Sequence, residues 1–305
     1  MKKRNIVAPT QLLNEGPGPY DEGYNQGYNL GYDKGHNTGY QKGNYDGGDA
    51  FVDQLLPEAT ILPGVPIEQI IARGLEAMQE SFYKIMATEE TMQLILDALQ
   101  SKSPLSLVRL GDGELLTMAQ DTVRSTAQVK EAGHFLEYAG VKVPDLGIRD
   151  LLVQSVKEAT IVGVPLLRVP NYQNLAFEVF QAYGIDYKQL QLTHSTINYA
   201  IYMEHRLPDL LTGRKVLTIG NKAEGLAGVF QAAGIAAESI APVSGMQDID
   251  RVLENAAQRE FDIAIISAGI PSVVLAQQIA ARFGKVALDF GHLADSMVKG
   301  ETPYA

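Results

Sequence analysis

From residue 66 onward, short apolar runs alternate with segments in which apolar residues recur three or four positions apart. The short runs predict β-strands; they read LSLVRL, ATIVGVP, KVLTIG, FDIAIIS and KVALDF. The periodic segments predict helices; they include PIEQIIARGLEAMQESFYKIM, TEETMQLILDALQ with Thr88 as its N-cap, NLAFEVFQAYG, EGLAGVFQAAG, DIDRVLENAAQ and VVLAQQIAARFG. This alternation predicts an α/β fold: a Rossmann-like, mainly parallel sheet with helices on both faces.

The first 65 residues follow a different pattern. A polar, proline-containing leader (1–19) precedes a tetrapeptide repeat (20–48) that reads YDEG, YNQG, YNLG, YDKG, HNTG, YQKG, NYDG. A linker with several prolines (49–65) separates this repeat from the predicted folded domain (66–305). The chain is therefore predicted to contain one large α/β domain behind a repetitive segment.

The repeat predicts a helix with all its glycines on one stripe, because four residues slightly exceed one helical turn. Each glycine costs a helix about 1 kcal/mol relative to alanine, so seven of them imply about 7 kcal/mol. A solitary exposed helix of this composition is not expected to persist. The segment self-associates as helices, stays disordered, or, least in accord with the pattern, stacks as β-structure.

Composition narrows the classes of function. The 305 residues are 46% hydrophobic and 20% charged, which is ordinary for a globular protein with a sizeable core. A net charge of -11 disfavours nucleic-acid binding. The chain has no cysteine, which excludes disulfides, thiolate metal sites and a cysteine nucleophile. With neither a signal peptide nor a membrane span in the sequence, we expect a cytoplasmic protein.

Candidate chemistry lies just after the predicted strands, because parallel sheets bind ligands at the carboxyl ends of their strands. In VRLGDGELL, Asp112 and Glu114 follow the first strand, with Arg109 upstream. Two carboxylates this close raise each other's pKa unless a cation lies between them, and a hard divalent ion would accept both. The alternative is structural: Asp112 caps a helix that begins near Glu114.

Three later strands also end in glycine turns. The turn GNKAEG, with Gly220, Asn221 and Lys222, opens a helix and offers amide groups and a positive charge to a phosphate. It matches neither the dinucleotide fingerprint nor the P-loop, so a plain strand-to-helix turn is equally compatible. The turn at Gly269 follows FDIAIIS, and ALDFGHLAD places Asp289, Gly291 and His292 after the final strand.

These segments resemble the GT-D glycosyltransferases, a bacterial family with a Rossmann-like domain and a DxE motif. The resemblance rests on LVRLGDGEL, IVGVP and FDIAIISAGIPSVVLAQQIAARFGKVALDFGHLADSM, and it spans residues 105–297. The RxGDGE string and the terminal DxGH string, in this order and at this separation, form a specific pair.

The resemblance implies a transferase that moves a sugar, usually glucose, from a UDP-sugar or similar donor to a glycan or glycoprotein acceptor. It implies that Asp112 and Glu114 hold Mn²⁺ or Mg²⁺ against the diphosphate. The expected donor contacts are Arg109, Gly111, Gly113, Gly220, Asn221, Lys222, Gly269 and Gly291. Glu114, Asp289 and His292 are the candidates for the base, and neither the base nor the stereochemical outcome follows from the sequence.

Two departures from the family pattern leave alternatives open. The long repeat is not needed for catalysis, and THSTINY (193–199) lacks an expected Arg-Pro-Tyr, so the acceptor stays undefined. A non-catalytic sugar-nucleotide-binding or scaffolding protein, assembled through residues 20–48, is the main alternative. A nicotinamide oxidoreductase is disfavoured because no GxGxxG follows the predicted strands.

Overall fold

The computed structural model describes residues 19–137, 139–168 and 172–304. It divides into two compact units, one ending at Tyr83 and one running from Lys84. The sequence places this boundary at residue 66 instead. The predicted polar leader lies outside the described residues, apart from residue 19.

The first unit consists of helices with few buried side chains. α1 (Pro19–Asn44) covers most of the repeat and continues through a π-helical turn (Tyr45–Asp49) into α2 (Ala50–Leu55) and, after the linker, α3 (Ile67–Ala77). The helical interpretation of the repeat is therefore confirmed. Neither α2 nor α3 has a buried residue, although the sequence predicted that the amphipathic segment of α3 belongs to the folded domain.

The second unit alternates strands and helices along the chain. Its strands are β1 (Leu105–Arg109), β2 (Ile161–Val164), β3 (Gln191–His194), β4 (Lys215–Gly220), β5 (Ala236–Ile240), β6 (Ile263–Ser267) and β7 (Val286–Asp289). Its helices are α4 (Thr88–Ser101), α5 (Asp112–Ala119), α6 (Thr126–Ala132), α7 (Leu146–Glu158), α8 (Tyr172–Ala182), α9 (Ile197–Met203), α10 (Leu207–Leu211), α11 (Ala223–Ala232), α12 (Ile249–Ala256), α13 (Pro271–Phe283) and α14 (Leu293–Val298).

The strands form one seven-stranded sheet in the order β3-β2-β1-β7-β6-β4-β5. Each neighbouring pair is parallel, with registers such as Leu107 opposite Ile161 and Leu288. The predicted α/β, Rossmann-like class is confirmed. All five predicted strands are present. The two edge strands, β3 and β5, were missed because their short sequences, QLTH and AAESI, carry few large apolar residues.

Helices cover both faces of the sheet. One apolar core joins the sheet to α5, α6, α7, α8, α12 and α13. The other joins the opposite face to α4, α9, α10, α11 and α14. Successive residues of a strand enter opposite cores, as Ile265 and Ile266 of β6 do. Burial on both faces explains why the central strands are almost continuously apolar.

Two further expectations were tested. Thr88 is the first residue of α4 and not its cap: the N-cap is Ala87, whose amide donates to the Glu90 carboxylate at 2.8 Å. Among the described helices, none combines the length and the apolar character needed to cross a bilayer.

Candidate functional site

The sheet order brings the four predicted glycine turns to neighbouring strand ends. The turns follow β1, β7, β6 and β4, which are adjacent in that order. Because all strands are parallel, these turns lie along one edge of the sheet. Sequence positions as distant as Asp112 and His292 therefore share this carboxyl edge.

A topological switch point lies between β4 and β6. The chain leaves β4 for β5 through α11 on one face, and it leaves β6 for β7 through α13 on the other face. Open α/β sheets bind ligands in the crevice that such divergence creates. At this crevice Gly220 has a φ of +142°, and a Cβ on it would lie 2.0 Å from the Ser267 carbonyl oxygen. Glycine is therefore required at Gly220 for the two strand ends to meet.

The GDGE turn opens α5. Gly111 is the N-cap, and its amide donates to Glu114 Oε2 at 2.9 Å. Asp112 is the first helical residue, and its Oδ1 accepts from the Gly113 amide at 2.9 Å. The sequence predicted that the Asp112 side chain caps α5, but it is the Glu114 carboxylate that accepts from the N-cap amide. Gly113 packs closely, since a Cβ there would lie 3.2 Å from Cγ1 of Ile270, the residue after Gly269.

The two carboxylates differ in environment. Asp112 is exposed, whereas Glu114 is partly buried. Burial is the main cause that raises the pKa of Glu114 from 4.5 to about 7, and the neighbouring Asp289 carboxylate adds to it. The amides of Glu114 and Gly111 and the Arg109 guanidinium act in the opposite direction. Glu114 is therefore a carboxyl that changes protonation near neutral pH.

Arg109 makes its hydrogen bonds within the protein. Nε donates to the Asp289 carbonyl at 3.0 Å, and Nη2 to Asp289 Oδ1 at 3.0 Å. Nη1 donates to the Ser195 carbonyl at 3.0 Å and to Asn198 Oδ1 at 3.1 Å. A guanidinium has five N–H groups, so these contacts engage most of its donors. Arg109 therefore has at most one N–H group left for the predicted contact with the nucleotide.

Asp289 is a poor candidate for a base that touches the acceptor. Its side chain is 6% exposed and forms an ion pair with Arg109. Burial raises the pKa of Asp289, and the Arg109 guanidinium lowers it. Next to it, Gly291 has a φ of +56°, and a Cβ there would lie 1.9 Å from Arg109 Nη2. Gly291 thus makes room for the guanidinium of Arg109. The sequence predicted a different role for this glycine, namely a contact with the donor.

The remaining candidates lie on the surface of the same edge. His292 is the exposed N-cap of α14, and its ring makes no hydrogen bond to a described residue. Lys222 is exposed at the start of α11, with no ion pair to a described carboxylate. Asn221 Oδ1 accepts from the Val243 amide at 2.9 Å, which ties the β4 turn to the loop after β5. Gly269, with a φ of +64°, has open space around its Cα.

The donor set at the GDGE turn fits a hard divalent ion. Asp112 Oδ1 accepts from the Gly113 amide and Glu114 Oε2 from the Gly111 amide, and Asp112 Oδ2 accepts no hydrogen bond from a described residue. Across the described residues, no cluster of three or more His, Asp or Glu side chains suitable for a metal ion occurs. Mg²⁺ and similar ions are commonly held by one or two carboxylates, with water and phosphate oxygens completing the shell. Asp112 and Glu114 therefore suit an ion that arrives with a phosphate ligand.

Tyr172 is a site residue that the sequence did not indicate. It begins α8, which packs against α5, and it is partly buried. Burial raises the pKa of the Tyr172 phenol, and the Asp112 carboxylate adds to this, so Tyr172 lies within electrostatic range of the acidic turn. No motif surrounds Tyr172 in the sequence, so this proximity arises from the packing of α8 on α5.

A large cavity lies at the opposite edge of the sheet. Its volume is about 690 Å³, and it is lined by the first residues of β4 and β5 together with α11 and the end of α12. The ion pairs Lys215–Glu260 and Arg259–Glu238 neutralise the charges along it. Ligand sites of parallel sheets lie at the carboxyl edge, so cavity size does not identify the site here.

A seven-stranded parallel sheet with an acidic turn after β1 and a switch-point crevice between β6 and β4 places the chain in the Rossmann-like α/β class. The model of the GT-D fold-like domain matches residues 86–297, which is more than half of the chain. The chain belongs to this family. Membership confirms the family resemblance seen in the sequence and supports a glycosyltransferase, and the matched range leaves α1, α2 and α3 outside the domain.

Solved structures show a distant likeness. One is described as a domain of unknown function 1792 with a distinct glycosyltransferase fold; it is 18% identical, with 75% of this chain and 87% of that chain covered and a TM-score of 0.47. A second is described as a new glycosyltransferase from Streptococcus sanguinis; it is 18% identical, with 73% and 87% covered and a TM-score of 0.45. No curated protein matches the chain in sequence.

Proposed function

We propose that the chain is a metal-dependent glycosyltransferase that moves a sugar, glucose by the family's habit, from a nucleotide-diphosphate donor such as a UDP-sugar to a hydroxyl of a glycan or glycoprotein. The observation that carries the proposal is the pair Asp112 and Glu114 at the carboxyl end of β1, within a GT-D-like domain. Asp112 is exposed, and its Oδ2 accepts no hydrogen bond from a described residue.

The spacing of the turns supports a long ligand. Strands β1 and β4 are three positions apart, which separates their ends by about 14 Å at about 4.8 Å per strand. An extended nucleotide diphosphate-sugar can bridge this distance from the crevice to the GDGE turn. The exposed Lys222 and the free amides at the start of α11 suit a phosphate or the nucleotide end.

Asp112 and Glu114 are the residues that would hold Mn²⁺ or Mg²⁺ in this scheme. When bound, the ion supplies positive charge that stabilises the departing diphosphate. The chain itself orients the donor through the turns after β4 and β6, and the GDGE turn fixes the diphosphate end. Tyr172, whose pKa is raised by burial and by the Asp112 carboxylate, is a further candidate for a contact with the sugar or acceptor.

The acceptor hydroxyl must lose a proton, and two groups on this edge suit that role. His292 is exposed and its ring is not engaged by described residues. Glu114, with a pKa of about 7, is poised near neutral pH as long as it does not ligate the ion. Asp289 is committed to its ion pair with Arg109.

The experiment that tests the proposal removes each carboxylate in turn. We expect Asp112→Ala and Glu114→Gln to lower sugar-nucleotide turnover, read as UDP or dTDP release, by about 100-fold or more. Glu114→Gln keeps an oxygen for the Gly111 amide, so the start of α5 stays intact. The matched control is Glu254→Ala, which removes an exposed carboxylate from α12 and should leave turnover unchanged.

Thermal shift with UDP, with and without Mn²⁺, separates catalysis from binding. Metal-dependent stabilisation that is lost in Asp112→Ala supports a diphosphate site. Stabilisation without any turnover, over a panel of donors and acceptors, would favour the non-catalytic sugar-nucleotide-binding protein. Parent-level turnover in either carboxylate variant would overturn the metal-dependent mechanism.

We also propose that residues 20–48 join copies of the chain and that the protein works in the cytoplasm. Support for self-association comes from α1, whose open glycine stripe makes an isolated helix costly.

A further inference from the structure

We propose that the Arg109–Asp289 pair is a positioning device that couples the GDGE turn to the Gly291–His292 turn and does not itself contact substrate. What the two turns do in catalysis rests on the proposed function. The coupling rests on the contacts alone, so the two can fail separately.

The first argument is the number of elements that one guanidinium joins. Arg109 is the last residue of β1, and its bonds reach the end of β7 through Asp289 and the end of β3 through the Ser195 carbonyl. A further bond reaches Asn198 in α9, whose Nδ2 donates to the Phe290 carbonyl at 2.7 Å. Arg109 and Asn198 thus hold the segment from Asp289 to Phe290 from two sides.

The second argument is shape. Two glycines border the Arg109 side chain; a Cβ would clash with it at Gly291 and would crowd it at Gly163. A Cβ on Gly291 would lie 1.9 Å from Nη2, and a Cβ on Gly163 of β2 would lie 3.3 Å from Arg109 Cγ and 3.1 Å from the His194 carbonyl oxygen. The side chain therefore occupies a slot formed by β2, β3 and β7, in which it has little freedom to turn toward a ligand.

The third argument is burial. The Arg109 and Asp289 side chains are 16% and 6% exposed. A buried ion pair of this kind contributes little net stability, but loss of one partner leaves an uncompensated charge. The planar, forked guanidinium of Arg109 makes several hydrogen bonds in fixed directions. A lysine ammonium cannot reproduce these contacts. Such a pair is well suited to fixing the relative position of two chain segments.

The fourth argument is chain distance. Asp112 follows Arg109 by three residues, and His292 follows Asp289 by three residues. The turn after β7 is fixed a second time by Ser267 Oγ, which donates to the Gly291 carbonyl at 2.6 Å. Only two residues separate Arg109 from Asp112, and only two separate Asp289 from His292. A shift of Arg109 relative to Asp289 must therefore move the acidic turn relative to the histidine. A displacement of about 1 Å can cost about 100-fold in rate.

Hydrogen exchange measured by mass spectrometry tests the coupling without activity. The variants are Asp289→Asn, which removes the charge at constant shape, and Arg109→Lys, which keeps the charge but loses the fork. We expect exchange at least about tenfold faster in both residues 110–115 and residues 290–294 for each variant. Gln277→Met is the control; Gln277 is buried and donates to Glu158, linking α13 to α7 away from this edge.

Kinetics then separate positioning from direct participation. We expect Asp289→Asn to lower kcat on the order of 10- to 100-fold with little change in KM for the donor and with both limbs of the pH–rate profile retained. Loss of the acidic limb would make Asp289 the base and overturn the proposal. Faster exchange confined to residues 290–294 in Asp289→Asn, or in neither segment, would overturn the coupling. If the parent enzyme shows no turnover, the proposed function fails, and the exchange experiment still decides the coupling.

Discussion

Glycine has opposite roles in the repeat helix and in the α/β domain. In α1, a Cβ added at Gly27, Gly31, Gly35, Gly39 or Gly43 would meet no described atom within 4 Å. In the domain, a Cβ on Gly220 or Gly291 would lie 2.0 or 1.9 Å from another atom. Gly220 and Gly291 are therefore explained by their own fold, whereas the glycines of the repeat are not.

This difference shows whether the reason for a glycine lies inside its own domain or outside it. When a glycine destabilises its own helix and fills no close contact there, its function is expected to involve another chain segment, such as a second helix that approaches closely. A glycine at positive φ against a neighbouring group needs no partner beyond the domain. The glycine stripe of the repeat is therefore the feature that the proposed assembly would explain, whereas Gly220 and Gly291 are explained by contacts inside the domain.

Replacing Gly291 is expected to have the largest effect on stability. In Gly291→Ala the methyl group meets Arg109 Nη2, and the side chain cannot retreat without breaking its bonds to Asp289, Ser195 and Asn198. Together with a φ of +56°, this should lower the free energy of unfolding by about 3 kcal/mol or more, measured by urea denaturation.

The matched control is Gly284→Ala. Gly284 ends α13 with a φ of +65°, but nothing described lies within 4 Å of its Cβ position. This change should cost about 1 kcal/mol, from backbone conformation alone. Equal losses at the two positions would show that the contact with Arg109 does not constrain Gly291.

The pH dependence of stability is expected to reveal the buried carboxyl of the domain. The pKa of Glu114 is about 7 in the folded protein and 4.5 without the fold, because burial and Asp289 disfavour the charge. The stabilising effect of proton binding is therefore fully present below pH 4.5 and is lost as the pH rises to about 7. Asp289, whose pKa is also raised, contributes with the same sign.

Glu114→Gln should remove most of this pH dependence. In metal-free buffer, we expect the variant to unfold with a free energy up to about 3 kcal/mol higher than the parent at neutral pH, and with a smaller difference in acid. Urea denaturation across this pH range measures it. Parallel curves for the two proteins would contradict a raised pKa at Glu114.

The smallest effect per residue is expected in the repeat. Each Gly→Ala change favours an isolated helix by about 1 kcal/mol. If the stripe packs against a second copy, however, the triple variant Gly31→Ala, Gly35→Ala, Gly39→Ala should reduce the mass in solution while helical content by circular dichroism is kept. Deletion of residues 1–48 provides the monomer reference.

Two outcomes would contradict assembly through the repeat. One is a parent with the same monomeric mass as the deletion variant. The other is a triple variant that keeps the parent's mass and gains helix. Turnover per chain should be unaffected by the deletion, because the family match begins at residue 86.

The central fold could be predicted from the sequence because its strands are buried on both faces. β1, β2, β4, β6 and β7 stand out as apolar runs, and all but β2 end in a glycine turn. The edge strands β3 and β5 were missed, since half-exposed strands carry few apolar residues and depend on their neighbours for pairing. The acidic GDGE turn was also found, because parallel topology places such turns at one edge.

The roles of individual side chains could not be predicted in the same way. Arg109 and Asp289 are 180 positions apart, and only the sheet order β1-β7 makes them partners. Tyr172 approaches Asp112 because α8 packs on α5, a contact without a sequence signature.

The sequence by itself determined the α/β class, the family, the glycine turns and the presence of a separate repeat, because these depend on local periodicity and short motifs. Tertiary structure decided which charges are paired inside the protein and which face solvent. Burial and long-range hydrogen bonds set that division, as they do for the enclosed Asp289 and the exposed Asp112. Neither burial nor a partner 180 residues away is encoded in any short stretch of chain.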